Sequence, residues 1–329
     1  MNFFVNRIMK KFFIFIQATF LVCTLHLSAQ KIDNAASFRD VKSDHYFRFH
    51  YDNDYFTGTD QFYTQGYAFE LTSPAFKKNP VNFLFVKLKN SSEKNGLSLE
   101  HIGFTPTTIK SNEILYGNRP FAASIFLKSF KIESDTINNI RIASSLSLGI
   151  IGPGAFGYEM QKGIHEWIGD EIPMGWQHQI RNDVVINYEV SHEKQLFRWK
   201  DYFALNLNIT ARLGTLNTNA SVGMTATLGL INSPFTSVYD KNKFQIYLYS
   251  QPLANFIGYD ASLQGGLFNR SCRYTIPDSH IERITLQNNF GIVMQWKSLF
   301  LEYNRIFLTR EFETSKSHKW GGFRVGFKL

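Results

Sequence analysis

The stretch FALNLNITARL (203–213) contains the pattern that decides the fold. Every second residue from Phe203 to Leu213 is apolar, and polar residues such as Asn206 and Asn208 lie between them. Successive side chains of a strand point to opposite faces, so this stretch has one apolar and one polar face. Strands of about ten residues with that alternation are typical of transmembrane β-barrels.

The same alternation recurs along the chain, most clearly at 139–150, 218–230 and 319–329. A soluble β-sandwich also alternates. Here, however, the second face carries Asn, Thr, Ser and Gly rather than mixed charge. After the N-terminus, no run approaches the roughly 18 consecutive apolar residues of a spanning helix. Because only helices and closed barrels satisfy every backbone group in lipid, we expect a closed barrel.

The sequence therefore predicts an all-β fold, a 12-stranded antiparallel transmembrane β-barrel with a short helix in an extracellular loop. The predicted strands lie near 44–53, 62–72, 95–104, 121–132, 139–150, 180–193, 200–214, 218–230, 242–256, 281–296, 298–310 and 319–329. An even number of strands is usual for a bacterial barrel and places both termini on the periplasmic side.

The N-terminus carries the three parts of a secretory signal peptide. Three basic residues precede an apolar run at 12–27, and small residues follow this run. The alternative is a membrane anchor, but the run is short for a span and contains polar residues. We expect residues 1–29 to be removed and residues 30–329 to form one barrel with a catalytic extracellular rim.

The charge and cysteine content restrict the possible partners. The full chain has a formal net charge of +8, and removal of Arg7, Lys10 and Lys11 with the signal peptide leaves +8 − 3 = +5. This charge is not gathered into a basic block, so no nucleic-acid partner is predicted. Only Cys272 remains after the predicted cleavage, which excludes an intramolecular disulfide.

Residues 155–169 break the strand pattern and predict a helix. An apolar stripe recurs at four-residue spacing and consists of Phe156, Met160, Ile164 and Ile168. A second line, also one turn apart and on an adjacent side, consists of Gly157, Gln161 and His165. Gly169 can end this helix.

Chemically dense segments lie in loops that strand parity places at one rim. With a periplasmic N-terminus, the loops after the first, third and fifth strands are extracellular. They contain YDNDYFTGTDQFYTQG (51–66), TPTTIK (105–110) with GNRPF (117–121), and the helix followed by GWQHQ (175–179). Because functional residues are common on loops held by a rigid scaffold, we expect the site here.

Asp52, Asn53 and Asp54 offer hard oxygen ligands of the kind that calcium prefers. The ordinary alternative is a solvated turn, in which Asp and Asn are common. The Cys and His residues have no spacing that suggests a zinc site.

His165 is a candidate general base because histidine exchanges protons near neutral pH. Gln161, one helical turn earlier, can hold a substrate or a water, Glu171 can orient His165, and Thr64 lies near them in the predicted loop cluster. Each of these residues also has a plain alternative as a packing, strand or surface residue. No Gly-x-Ser-x-Gly motif is present. A cation that polarises a carbonyl, with a histidine that activates water, is an arrangement that hydrolyses esters.

These segments, in this order, resemble the outer-membrane lipid A 3′-O-deacylases. The resemblance is carried by NDYF (53–56), FYTQG (62–66), GNRPFA (117–122), IIGPGAFGYEMQKGIHEWIG (150–169) and GWQHQI (175–180). It covers nearly the whole mature chain, and the pattern GP-x3-G-x-E-x-Q-x3-H is its most specific part. The resemblance implies a twelve-stranded barrel that removes a 3′-linked acyloxyacyl group from lipid A in a calcium-dependent reaction.

The resemblance also implies roles for individual residues. Asn53 and Asp54 would belong to the calcium and oxyanion side of the site, with Asp54 as the metal ligand. His165 would be the base that activates water. The residues that would support it are Gln161, Thr64 and Glu171.

Two cations at the rim are expected to hold the phosphates and sugars of the substrate. They are Lys110, near the place of a lysine that the family uses in this loop, and Arg119, which can pair in a bidentate way. The predicted protein is a monomeric, calcium-dependent lipid A ester hydrolase whose site faces the cell exterior. Its rivals are a passive structural or pore-forming barrel and an outer-membrane phospholipase, which normally uses a serine paired with histidine.

Overall fold

The computed structural model describes residues 33–57, 62–235 and 244–329. Within them, twelve antiparallel strands form one closed barrel in which β1 pairs with β12. The strands are Tyr46–Asn53 (β1), Phe62–Thr72 (β2), Ser91–Thr105 (β3), Ala122–Asp135 (β4), Ile140–Ile151 (β5), Asp183–Trp199 (β6), Phe203–Gly214 (β7), Asn217–Leu230 (β8), Phe244–Asp260 (β9), Ile284–Trp296 (β10), Leu299–Leu308 (β11) and His318–Lys328 (β12).

The predicted all-β fold and its twelve strands are confirmed. The largest difference is at β6, which continues to Trp199 instead of ending at residue 193. The predicted signal peptide at 1–29 lies outside the described residues. Two helices occur in the described part of the chain, α1 (Gly157–Ile168) and α2 (Ala261–Gln264). Neither is long and apolar enough to cross a membrane.

Alternation along the strands separates the lumen from the outer wall. In β7, Ala204 and Asn206 are buried in the barrel, whereas Ile209 and Leu213 are exposed on the outside. The outer wall elsewhere exposes large apolar side chains, of which Leu127 is an example at 50%. This apolar outer surface is the one that a transmembrane barrel presents to lipid.

The two ends of the barrel differ in their connections. We call the end with the loops after β1, β3, β5, β7, β9 and β11 the loop rim. Its longest connections are 106–121, 152–182 and 261–283. At the other end, the terminal rim, the last strand returns to the first, and the backbone N–H of Leu329 donates to the His45 carbonyl over 3.0 Å.

A segment before β1, residues 33–42, runs inside the terminal half of the lumen as a plug. Arg39 on this plug donates from Nε to Glu302 of β11 over 2.9 Å. Asp40 accepts from Arg141 of β5 over 2.8 Å. All four side chains are buried. No local sequence pattern predicts this segment, because its charged partners lie on strands far away in the chain.

We expect Arg39→Ala to lower the free energy of unfolding of the barrel by about 3 kcal/mol, because removal of one partner leaves a buried charge. The lower end of the usual range applies, since Glu302 keeps Arg324 at 3.1 Å. Urea titration of the reconstituted barrel measures the change. Arg283→Ala is the matched control, because its pair with Asp278 is largely exposed and such pairs contribute at most about 1 kcal/mol. Equal losses in both variants would contradict a stabilising plug.

The loops of the loop rim close over the other end of the lumen. Arg119 of the β3–β4 loop forms a buried ion pair with Glu311 of the β11–β12 loop. Its guanidinium also donates to the hydroxyl of Ser262 in α2 over 2.6 Å. Tyr274 in the β9–β10 loop donates to the carbonyl of Asn118 over 2.7 Å. Three loops are thereby tied together above the lumen.

Candidate active site

The exposure of the outer wall changes near the loop rim on β2, β3 and β4. Glu100 of β3 and Lys128 of β4 form an ion pair inside the barrel, at 2.5 Å. Strand alternation therefore turns His101 and Ala123 outward. Both are nevertheless buried, at 0% and 1% exposure. Something outside the barrel covers this part of the wall.

The cover is the β5–β6 loop with helix α1. A Cβ added to Gly157, in the first turn of α1, would lie 2.4 Å from the Cβ of Ala123 and 2.7 Å from the ring of Trp176. The helix therefore packs closely on the outside of β4, and glycine is what allows this approach. The line Gly157, Gln161 and His165 faces the wall and is buried. The apolar stripe predicted beside it does not form this contact.

Gly157→Ala is expected to loosen α1 from the wall, because overpacking costs about 1–3 kcal/mol. Hydrogen exchange of the α1 backbone amides should become faster. Gly163→Ala in the same helix is the matched control, because a Cβ there meets nothing within 4 Å. It should keep or improve the protection, since alanine favours helix by about 1 kcal/mol over glycine. Unchanged exchange in Gly157→Ala would contradict the close packing.

His165 lies in the last turn of α1, 8% exposed. Its Nδ1 is 2.5 Å from the backbone carbonyl oxygen of Glu171. Because a carbonyl can only accept, Nδ1 carries the proton, and the lone pair lies on Nε2. No residue in the described part of the chain bonds Nε2. The Asp170 carboxylate lies 3.9 Å from Nδ1.

Gln161, one turn before His165, is held by the loop that follows α1. Its Oε1 accepts from the indole N–H of Trp176 over 2.7 Å. This bond fixes the orientation of the amide, so Nε2 is directed away from the indole. Nε2 is buried and has no hydrogen-bond partner among the described residues. A buried donor of this kind is costly unless a ligand or a water accepts from it.

Lys110 and Glu171 meet at the surface beside His165. Lys110 Nζ lies 2.7 Å from Glu171 Oε1, and both side chains are more than half exposed. The hydrogen bond from the ammonium group to Glu171 raises the pKa of Lys110. Glu171 thus contacts His165 through its backbone carbonyl, while its carboxylate holds Lys110. Such exposed pairs contribute little to stability, so the ammonium group can exchange partners.

Thr64 lies on the wall at an irregularity in the β2–β3 pairing. The register shifts between Tyr63 and Gln65, which makes Thr64 an extra residue of β2. Its hydroxyl lies 2.6 Å from that of Thr105 at the end of β3. Bulges of this kind are common beside active sites because they redirect a side chain.

Asn53 and Asp54 lie where β1 ends, on the strand next to β2. The Asn53 side-chain oxygen accepts from the backbone N–H of Tyr55 over 2.7 Å, which forms a tight turn. Asp54 opens the following turn and is buried at 2% exposure. Asp52 is different, because it points into the lumen and lies 2.7 Å from His50. Of these three residues, Asp52 is therefore the one directed into the lumen, and Asp54 stays the predicted metal ligand.

The position of Arg119 also differs from the prediction. Its guanidinium is buried, pairs with Glu311 and lies 4.1 Å from the ring of Phe104 in the lumen. Arg119 is therefore not an exposed rim cation. Its charge is paired with Glu311, and this pair helps to close the lumen. From the sequence, GNRPF shows only that an arginine lies in this loop and not which side of the barrel it faces.

His101 is a residue of this region that the sequence motifs do not predict. It donates from Nε2 to the carbonyl of Ala155, just before α1, over 2.9 Å, and its ring stacks on Tyr67. It thereby ties the start of the helix to the wall. A signal was present, because a histidine follows Leu97 and Leu99 on the side of β3 where an apolar residue is expected.

Asp54, Asn53 and Thr64 offer oxygens of carboxylate, amide and hydroxyl groups, which suit a hard cation. Within residues 33–57, 62–235 and 244–329, no group of three or more His, Cys, Asp or Glu side chains is arranged to hold a metal ion. A cation at this site would therefore need neutral oxygens in addition to Asp54.

Three solved structures illustrate how the fold compares with known barrels. The chain is similar to LpxR from Salmonella typhimurium, with 17% identity and a TM-score of 0.71 over 86% of this chain and 100% of that one. Weaker likenesses are to a bacterial polysaccharide outer membrane secretin (10% identity, TM-score 0.35, 88% and 100%) and to the NanC porin (11%, 0.34, 87% and 100%). No curated protein matches the chain.

The family comparison extends over nearly the whole sequence. The family model described as Outer membrane protein LpxR matches residues 15–329. The similar LpxR structure shares the closed barrel fold. The chain therefore belongs to the LpxR family of outer membrane proteins.

Proposed function

We propose that this protein hydrolyses the 3′-O-linked acyloxyacyl ester of lipid A. The observation that carries the proposal is the arrangement of His165, whose Nδ1 is bound to the Glu171 carbonyl so that Nε2 is the basic nitrogen. Family membership supports lipid A as the substrate class. The position of the site on the outer wall supports a lipid substrate, because the ester can come from the leaflet beside the barrel.

In the proposed reaction, His165 Nε2 takes a proton from a water molecule as the water oxygen attacks the ester carbonyl carbon. The carbonyl oxygen gains negative charge, and hydrogen-bond donors directed at it lower the barrier. Gln161 Nε2 is a buried donor suited to this role, with the Thr64 hydroxyl as a second candidate. The bond to the sugar oxygen then breaks, and His165 returns its proton to that oxygen.

Calcium belongs to the proposal as the cofactor, with Asp54 as its carboxylate ligand. Calcium takes about six to eight oxygens, so Asn53, Thr64 or backbone carbonyls would supply neutral donors. When bound, the ion would supply positive charge that stabilises the developing oxyanion. Asp54 suits this role because it is a buried carboxylate at the loop end of β1, next to the strand that carries Thr64.

Lys110 is the proposed contact for the phosphates of lipid A. Its ammonium group is exposed and pairs with Glu171 on the surface, so a phosphate can replace that partner. Export by a cleaved signal peptide at 1–29 would deliver the chain to the outer membrane. The loop rim would then face the cell exterior, where the outer leaflet is mainly lipid A-based.

A passive pore is disfavoured by the lumen of the barrel. The plug at 33–42 crosses its terminal half and pairs with β11 and β5, and the Arg119–Glu311 pair with the surrounding loops closes the loop rim. A pore would also need neither the packed helix α1 nor the oriented His165.

The test is expression in a host whose lipid A carries six acyl chains, with mass spectrometry of lipid A and phospholipids. We expect a lipid A species lighter by one acyloxyacyl unit and unchanged phospholipids. A folded His165→Asn protein, checked by its shifted migration on unheated gels, is the control and should leave lipid A intact. Release of lysophospholipid with unaltered lipid A would indicate a phospholipase. No change in either lipid would favour the passive barrel.

A further inference from the structure

Helix α1 has three chemically different sides. One side, with Gly157, Gln161 and His165, is buried on the barrel wall. A second side, which we call the apolar flank, consists of Phe156, Met160, Ile164 and Trp167. A third side, the charged flank, consists of Glu159, Lys162 and Glu166. Residues three or four positions apart are neighbours on a helix surface, so each set forms a continuous strip.

The two ends of the apolar flank are exposed, and Met160 and Ile164 between them are half-buried. Trp167 is 87% exposed and Phe156 is 59% exposed. Ile168, Ile172 and Met174, at the end of the helix and after it, are also exposed. A contiguous exposed apolar patch of this kind marks a surface that contacts a partner or a membrane. On the charged flank, by contrast, Lys162 and Glu166 form a surface ion pair at 3.6 Å.

The apolar surface continues from beneath the helix down the outer wall. Ile125 and Ile150 pair in register on β4 and β5 and pack against the apolar cluster under the start of α1. Two residues further from the loop rim, Leu127 and Leu148 also pair and are about half exposed. On the outer faces of β4 and β5, no polar residue lies between the helix and this exposed apolar part of the wall. The lipid-facing surface of the barrel therefore reaches the helix.

Phe156 gives a second indication that this flank has a function. It directly precedes the helix with φ at 59°, in the left-handed region that bulky residues rarely adopt. Glycine or asparagine would fit this backbone with less strain. The exposed ring does not offset the strain by packing in the protein, which fits an interaction outside the chain.

We infer that α1 is an interfacial helix whose apolar flank inserts among the acyl chains of the outer-membrane leaflet next to the loop rim. Its charged flank faces the water and headgroups, as in helices that lie in the plane of a membrane interface. The side of α1 that faces the wall then holds His165 between leaflet and wall. The inference goes beyond the proposed hydrolysis, because it requires only the barrel in its membrane.

Spin labelling tests this inference without any turnover. A nitroxide is attached to Trp167→Cys or to Glu166→Cys, each in a Cys272→Ser background, and the barrel is reconstituted in phosphatidylcholine vesicles. The two positions are adjacent and exposed but lie on different flanks. Leu148→Cys provides the reference for a label in lipid. Collisions with oxygen report an apolar surrounding, and collisions with a water-soluble nickel chelate report water.

We expect the oxygen-to-nickel accessibility ratio at 167 to approach that at 148 and to exceed that at 166 severalfold. Low ratios at both 166 and 167 would place α1 in water and overturn the inference, as would the reverse order. A label at 167 that neither reagent reaches, with spectral broadening between labels, would show that a second copy covers the flank and would also overturn it. Loss of deacylation alone would not affect these outcomes.

Discussion

Replacing His165 by asparagine is expected to lower the rate of lipid A deacylation by about 10²–10⁴-fold, the range for a positioned general base. The asparagine amide can still donate to the Glu171 carbonyl, which lies 2.5 Å from Nδ1 in this structure. The variant therefore keeps the local hydrogen bond but has no basic nitrogen. The rate is measured on lipid A in mixed micelles, and folding is checked by migration on unheated gels.

Glu171→Ala is the matched control for this prediction. It removes the carboxylate that pairs with Lys110 but keeps the backbone carbonyl that orients His165. The loss of activity should therefore be much smaller than in His165→Asn. Near-normal activity in folded His165→Asn would remove this residue from the mechanism. An equal loss in both variants would instead assign the effect to the surface around Lys110.

The barrel could be predicted from the sequence because period-2 alternation is a local signal. Stretches such as 203–213 carry both faces of a strand within a few residues, and closure follows from the need to satisfy backbone groups in lipid. The plug at 33–42 could not be predicted this way. Arg39 and Asp40 find their partners on β11 and β5, and no local pattern connects residues so distant in sequence.

The segments that form the candidate site could be predicted from the sequence, but the directions in which their side chains point could not. The helix at Gly157–Ile168 and the line with Gln161 and His165 follow from helical spacing. The direction of Asp52 and Arg119 into the lumen depends on strand register and loop closure, which the motifs do not contain. The packing side of α1 was also not evident, because a glycine and two polar residues face the wall while large apolar residues remain exposed.

Replacing Asp54 by asparagine is expected to lower deacylation at least about 10²-fold if Asp54 binds the cation that stabilises the oxyanion, the size of effect seen when one such interaction is lost. Asparagine keeps the shape but removes the charge that a hard cation needs. A calcium chelator should reduce the wild-type rate to a similar level. Added calcium should restore the chelated wild type and leave Asp54→Asn low.

The neighbouring carboxylate gives a control that separates metal binding from general effects of charge removal at this turn. Asp52 lies two residues earlier but is directed into the lumen, 2.7 Å from His50. Asp52→Asn should change the stability of the barrel, because a buried polar pair is altered, while the response of the rate to calcium is retained. If chelation leaves the wild-type rate unchanged, no exchangeable ion takes part, and the role of Asp54 reduces to that of a buried turn residue. If Asp52→Asn loses the calcium response as completely as Asp54→Asn, the ion depends on the whole end of β1 rather than on one ligand.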